Sequence, residues 1–167
     1  MKKKALPVFL IIFAFVFVSC SERGGKSCDA VLSELLTVVG ENQEKNGRIY
    51  LMSAYEGQIG YFSDGDKILM YGENAYEHCF PKIEDCTLYV SARIPEEIGV
   101  FKCYSRSDTD TVAKMCLERA DMIKVVLRDS QWREKSENIR VCVHGHFVLF
   151  IFSDNPQRIE SKFKAIV

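Results

Sequence analysis

The sequence predicts an α+β fold: an antiparallel sheet of about four or more strands, built as two hairpins and packed with helices on one face. Three observations predict it. Residues 87–92 and 139–143 alternate apolar and polar side chains, the period of a strand. Val112, Cys116, Ala120, Ile123 and Leu127 recur at steps of three and four, the stripe of an amphipathic helix. The order after residue 87 is strand, strand, long helix, strand, strand, helix, which builds a layered α+β domain.

The elements follow in order. Residues 28–39 read as a helix, because Val31, Leu32, Leu35, Leu36 and Val39 share one face. Ser27 or Asp29 can cap its start and Gly40 can end it. Residues 41–47 are polar and loop-like. Residues 48–55 suggest a short strand and 57–66 a run of turns. Residues 67–72 read as a single helical turn closed by Gly72. Residues 73–85, with Pro81 inside, read as irregular.

Residues 87–92 and 98–104 then form a hairpin around Pro95-Glu96-Glu97. The acidic pair there reads as a solvated hairpin corner, although two neighbouring carboxylates also invite an acid/base role. Residues 108–130 form the long helix, with Lys114, Glu118, Arg119 and Asp121 on the faces away from its apolar stripe. Trp132 lies just beyond it. Residues 139–143 and 147–152 form the second hairpin around Gly145, where a tight turn needs positive φ. The last strand, Phe-Val-Leu-Phe-Ile-Phe, is apolar on both faces, so it belongs in the middle of the sheet. Its aromatics, Phe147, Phe150 and Phe152, are simplest as core. Ser153-Asp154-Asn155-Pro156 opens a final helix over 157–166.

Residues 1–19 are expected to be a lipoprotein signal peptide. Lys2, Lys3 and Lys4 make a positive start, and residues 6–18 are apolar apart from Pro7. That run of about 13 residues is short of the ~20 a membrane-spanning helix needs, and suits a signal peptide. Ser19-Cys20 at its end matches a lipobox, in which Cys20 is lipidated and becomes the new N-terminus. The alternative is an ordinary secretory signal with Cys20 incidental. Residues 20–27 then form a flexible lipid-anchored tether, and 28–167 a single domain. The expected location is the cell membrane, lipid-anchored on its extracytoplasmic face.

The whole chain has 167 residues, 22 basic against 23 acidic, and 47% apolar residues. Without the three leader lysines the basic count falls to 19, leaving a mildly acidic domain. Such a balance argues against a nucleic-acid partner.

Three stretches carry a family resemblance: Tyr71-Gly72; Ile94-Pro95-Glu96-Glu97-Ile98-Gly99-Val100-Phe101-Lys102; and Gly145-His146-Phe147-Val148-Leu149-Phe150-Ile151-Phe152-Ser153-Asp154-Asn155-Pro156. With the leader, residues 71–163 resemble a family of lipoproteins from clostridial and related Firmicutes, domain of unknown function 4358. The family has no assigned activity, so the resemblance implies a location and a fold but no chemistry. His144-Gly145-His146 departs from the family's usual Lys-Gly-Asn type of turn, as do the six cysteines beyond Cys20.

Those six are Cys28, Cys79, Cys86, Cys103, Cys116 and Cys142. An even number in an exported domain permits disulfides, and Cys79 with Cys86 is the candidate pair. The alternative is that they are small buried side chains, favoured for Cys103, Cys116 and Cys142. His144 and His146, with His78 from the irregular stretch, are weak candidate metal ligands. Metal-ligand spacings such as Cys-x-x-Cys are missing, and a solvated turn holding two histidines is the simpler reading. His78 beside Cys79 is a weak candidate for thiol catalysis. No serine elbow, phosphate loop or dinucleotide fingerprint is present.

No cofactor and no catalytic residue are therefore assigned. The expected function is that of a non-enzymatic surface lipoprotein, an interaction or accessory module with a protein partner at the cell surface. The alternative is a lipoprotein that binds a small molecule or peptide. A binder would show a concave pocket with convergent polar groups between sheet and helices. An interaction module would show a flat sheet face or an open edge.

Overall fold

The computed structural model describes residues 25–39, 47–91 and 93–167. The expected signal peptide and Cys20 lie outside the described residues, as does the first part of the tether. Helix α1 (Cys28–Val39) leads to strand β1 (Gly47–Leu51). Two short helices, α2 (Asp64–Tyr71) and α3 (Glu73–His78), follow, then a 3-10 turn over Phe80–Lys82. Strands β2 (Ile83–Ser91) and β3 (Glu96–Cys103) form the first hairpin. Helix α4 (Thr109–Leu127) and a short α5 (Arg133–Glu137) precede the second hairpin, β4 (Arg140–His144) and β5 (Phe147–Phe152). Helix α6 (Pro156–Ile166) ends the chain.

The five strands form one antiparallel sheet in the order β1-β2-β3-β5-β4, so the fold is α+β as expected. The two hairpins meet through β3 and β5, which puts the apolar β5 inside the sheet. Helices cover both faces rather than one, and β5 shows why. Its Val148, Phe150 and Phe152 join a core with α2, α3 and α4, while Phe147, Leu149 and Ile151 join a second core with α1 and α6. All six of its side chains are buried, and a strand buried on both faces needs a layer on each.

Residues 73–85, expected to be irregular, are almost wholly regular: α3, the 3-10 turn and the first residues of β2. Pro81 sits inside the 3-10 turn, where its fixed φ is tolerated. The helical turn expected at 67–72 starts earlier, at Asp64. There Ser63 and Asp66 form a reciprocal capping box, and Gly72 closes the helix at φ 87°.

Geometry also fixes Gly145 and Gly99. Gly145 takes φ 58° in the two-residue turn of the second hairpin. Gly99 lies under the Phe101 ring, and a Cβ there would come within 2.8 Å of the ring edge. The missing side chain lets the Phe101 ring fold back over its own strand and fill the core between the sheet and α2–α4.

Candidate functional site

The acidic pair is where the structure departs most from expectation. Glu96 and Glu97 are not a solvated corner: they are 1% and 2% exposed. They open β3, opposite Ser91 and Val90 of β2, and Glu97 also pairs with Phe152 of β5. Helix α4 roofs Glu97, whereas strand alternation turns the Glu96 side chain to the other face, where it meets Ser153.

Burying a carboxylate is costly unless donors compensate it. Glu97 is fully supplied. Arg119 of α4 donates through Nη2 to Oε2 at 2.7 Å and through Nε at 3.2 Å. The Tyr71 hydroxyl donates to Oε1 at 3.2 Å. Arg119 therefore turns inward, although the helical pattern had placed it among the solvent-facing charges. Burial pulls the Arg119 pKa down, but the charge and hydrogen bonds of Glu97 outweigh it and the net shift is up. Burial and the adjacent Glu97 together push the Tyr71 phenol well up, so it stays a donor.

Glu96 is supplied differently. The Ser153 hydroxyl donates to its Oε1, while its buried Oε2 has no hydrogen-bond partner among the described residues. The nearest cation in charge terms is Lys135 of α5, itself buried and 3.1 Å from Asp154. Lys135 also lies over the rings of Trp132 and Phe152. Burial raises the Glu96 carboxyl above its ordinary range, and the Ser153 hydrogen bond only partly opposes that.

Glu97 lines a cleft of about 220 Å³ between the start of β3, the end of β2 and the second half of α4. Its walls are mostly apolar: Val90, Pro95, Met122, Ile123, Val126 and Phe152. Met122 and Val126 are exposed on its rim. That volume holds about seven waters' worth of liquid, enough for one ring or one short side chain. The geometry is that of a small binding site: apolar walls with the paired carboxylate of Glu97 and guanidinium of Arg119 at one end.

The residues singled out from sequence lie elsewhere. His78 ends α3 and is exposed beside Glu77. His144 and His146 flank Gly145 on the rim of a separate open groove of about 650 Å³, which Lys102 and Arg106 also line. His78 does not line that groove. Among the described residues, no group of three or more His, Cys, Asp or Glu could hold a metal ion.

All six cysteines beyond Cys20 are free and buried. Cys79 and Cys86 are therefore not bonded to each other. They pack with Cys103 and Cys116 in the core beneath α2–α4, as small apolar side chains. Burial and the charge of Glu118 push the Cys79 thiol up, the opposite of what a nucleophile beside His78 needs. Cys103 is pushed up to about 11, chiefly by burial.

Sequence reasoning missed Arg119 and Tyr71 as partners of the acidic pair. The signal available was Pro95-Glu96-Glu97 preceding a wholly apolar strand, but nothing local reveals the helix that covers it. No helix among the described residues is long and apolar enough to cross a membrane. Compared with protein-family models, curated proteins and solved structures, the chain matches none.

Proposed function

We propose that this protein is a lipid-anchored, extracytoplasmic binding protein that takes a small molecule, or one side chain of a peptide, into the cleft beneath α4. It acts by binding and not by catalysis. The observation that carries this reading is the cleft itself, with Glu97 and Arg119 set among apolar walls. The covering of both sheet faces by helices favours a pocket over a flat docking face. Anchoring rests on the basic start, short apolar run and Ser19-Cys20 of the leader. On that reading the membrane contact is the acyl group on Cys20, and the family resemblance over 71–163 belongs to the same proposal.

Two experiments test it. Thermal melting of the purified chain against water-soluble aromatic fragments should show stabilisation that Val126→Trp, which fills the cleft, abolishes. Equal shifts in both proteins, or none in either, would remove the binding site. In the native host, Cys20→Ser should release the protein from membranes; unchanged membrane fractionation would remove the anchor.

A further inference from the structure

We propose that the groove at the Gly145 turn is the face this domain lays on the phospholipid head-group layer, with the cleft beneath α4 held at the end away from the bilayer. This rests on the reading of Cys20 as the lipid anchor and adds an orientation to it.

Reach is the first reason. Gly25 lines the groove together with Tyr104, Arg106, His144 and His146. Cys20 stands five residues before Gly25 in the sequence. Five residues span at most about 18 Å, whatever path they take. A domain of this length is roughly 35 Å across. A lipid on Cys20 therefore brings the groove end against the head groups and cannot bring the opposite end there.

The chemistry of the groove fits that place. Tyr104 is 61% exposed, yet its backbone is pinned, its N–H donating to the Lys82 carbonyl at 3.1 Å. An exposed tyrosine suits a bilayer interface, where the ring meets acyl chains and the hydroxyl stays wet. Arg106, His144 and His146 are exposed in the same lining. A guanidinium and two imidazoles offer N–H donors to phosphate oxygens. Glu84 is taken up by Lys102 at 2.9 Å, and the carboxylate of Val167, also of this lining, offsets the charge of Arg106. The groove is thus close to neutral, so the contact depends on hydrogen bonds to phosphate and on the Tyr104 ring more than on net charge.

The sheet sets the two sites at opposite ends. Strand β3 runs from Glu97 in the cleft to Lys102 in the groove, and β5 runs back from Phe147 in the groove to Phe152 in the cleft. At about 3.3 Å per residue, each strand separates them by about 17 Å. Lying on the groove end therefore points the cleft away from the membrane.

Nanodiscs of phosphatidylcholine and phosphatidylglycerol, doped with a gadolinium-chelating lipid, test this on the lipidated protein purified from its host. The chelate broadens the NMR signals of residues near the head groups. Ring signals of Tyr104, His144 and His146 should lose most of their intensity, while the methyls of Met122, Ile123 and Val126 keep theirs. Equal loss at both sets, or greater loss at the cleft methyls, would overturn the orientation and leave the anchor standing. Protein that elutes apart from the discs would overturn the anchor, and the orientation with it. In Tyr104→Ser with Arg106→Glu, the loss at His144 and His146 should fall severalfold with the protein still on the disc and the cleft methyls unmoved. An unchanged loss there would overturn the part given to those two side chains.

Discussion

Arg119 of α4 donates to both carboxylate oxygens of Glu97 of β3, from Nη2 to Oε2 at 2.7 Å and from Nε to Oε2 and Oε1 at 3.2 and 3.3 Å, with Glu97 2% exposed. The pair ties the long helix to the first residues of the central hairpin, and it shapes one end of the cleft. Removing one partner strands the other's charge in a poorly solvated place. Arg119→Met should therefore destabilise the fold by about 3 kcal/mol. Adding Glu97→Gln to that variant should restore much of the loss, because the stranded charge goes with it. Urea midpoints of the two variants check this; a double variant less stable than the single one would contradict it.

Glu96 makes stability depend on pH in an unusual direction. Its carboxyl is raised in the folded state by burial, with Asp154 adding to the rise and Ser153 and Lys135 opposing it. On the β3 and α4 side, Glu97 and Arg119 neutralise one another. A raised carboxyl holds its proton longer when folded than when unfolded. Its contribution is fully present below the ordinary value of 4.5 and is lost as pH rises through the folded value. Glu96→Gln removes this dependence, so it should gain stability relative to the wild type between pH 4.5 and pH 7.5. Carboxyls held low by surface partners, such as Glu34 with Lys26 and Glu160 with Lys164, work the other way but cancel in the comparison. Denaturant midpoints of both proteins at the two pH values measure the difference. A difference that does not change with pH would show that Glu96 keeps an ordinary carboxyl.

Gly99 carries a packing prediction. Gly99→Ala places a methyl 2.8 Å from the Phe101 ring and 3.3 Å from Leu88, both fully buried. The ring must move within a filled core, at a cost of about 2 kcal/mol. Shortening the ring's neighbour with Leu88→Val in the same chain should recover part of it. A melting temperature for Gly99→Ala equal to wild type would show that the ring has room to spare.

The cysteines predict a labelling pattern. With six free, buried thiols, a thiol reagent should label none of them in the folded domain and all six after unfolding without reductant. Burial and raised thiol pKa values both suppress the reactive thiolate. Four labelled on unfolding would indicate a disulfide, Cys79 with Cys86 being the first pair to examine.

Much of the fold was legible because its signals are local. The turn at Gly145, the stripe from Val112 to Leu127 and the Asn155-Pro156 helix start each declare themselves within a few residues. The apolar run of β5 announced a central strand, but not that α1 and α6 would cover the face opposite α4. The site was not legible, because its defining contacts are long-range. Glu97 and Arg119 are 22 residues apart, and Glu96 and Ser153 are 57 apart. Strand alternation says which side chains share a face, not which helix covers that face. A charged pair beside a proline looks the same whether it meets water or a helix. The short helix α5, Arg-Glu-Lys-Ser-Glu, has no apolar stripe to announce it, yet it carries the buried Lys135.

The crystal structure of the protein soaked with benzyl alcohol tests the binding cleft most directly. The predicted result is the ring lodged between Phe152 and the Met122–Val126 edge of α4, with Glu97 in its wall. A cleft that stays filled by its own side chains, with the ring only in the groove beside His144 and His146, would contradict it.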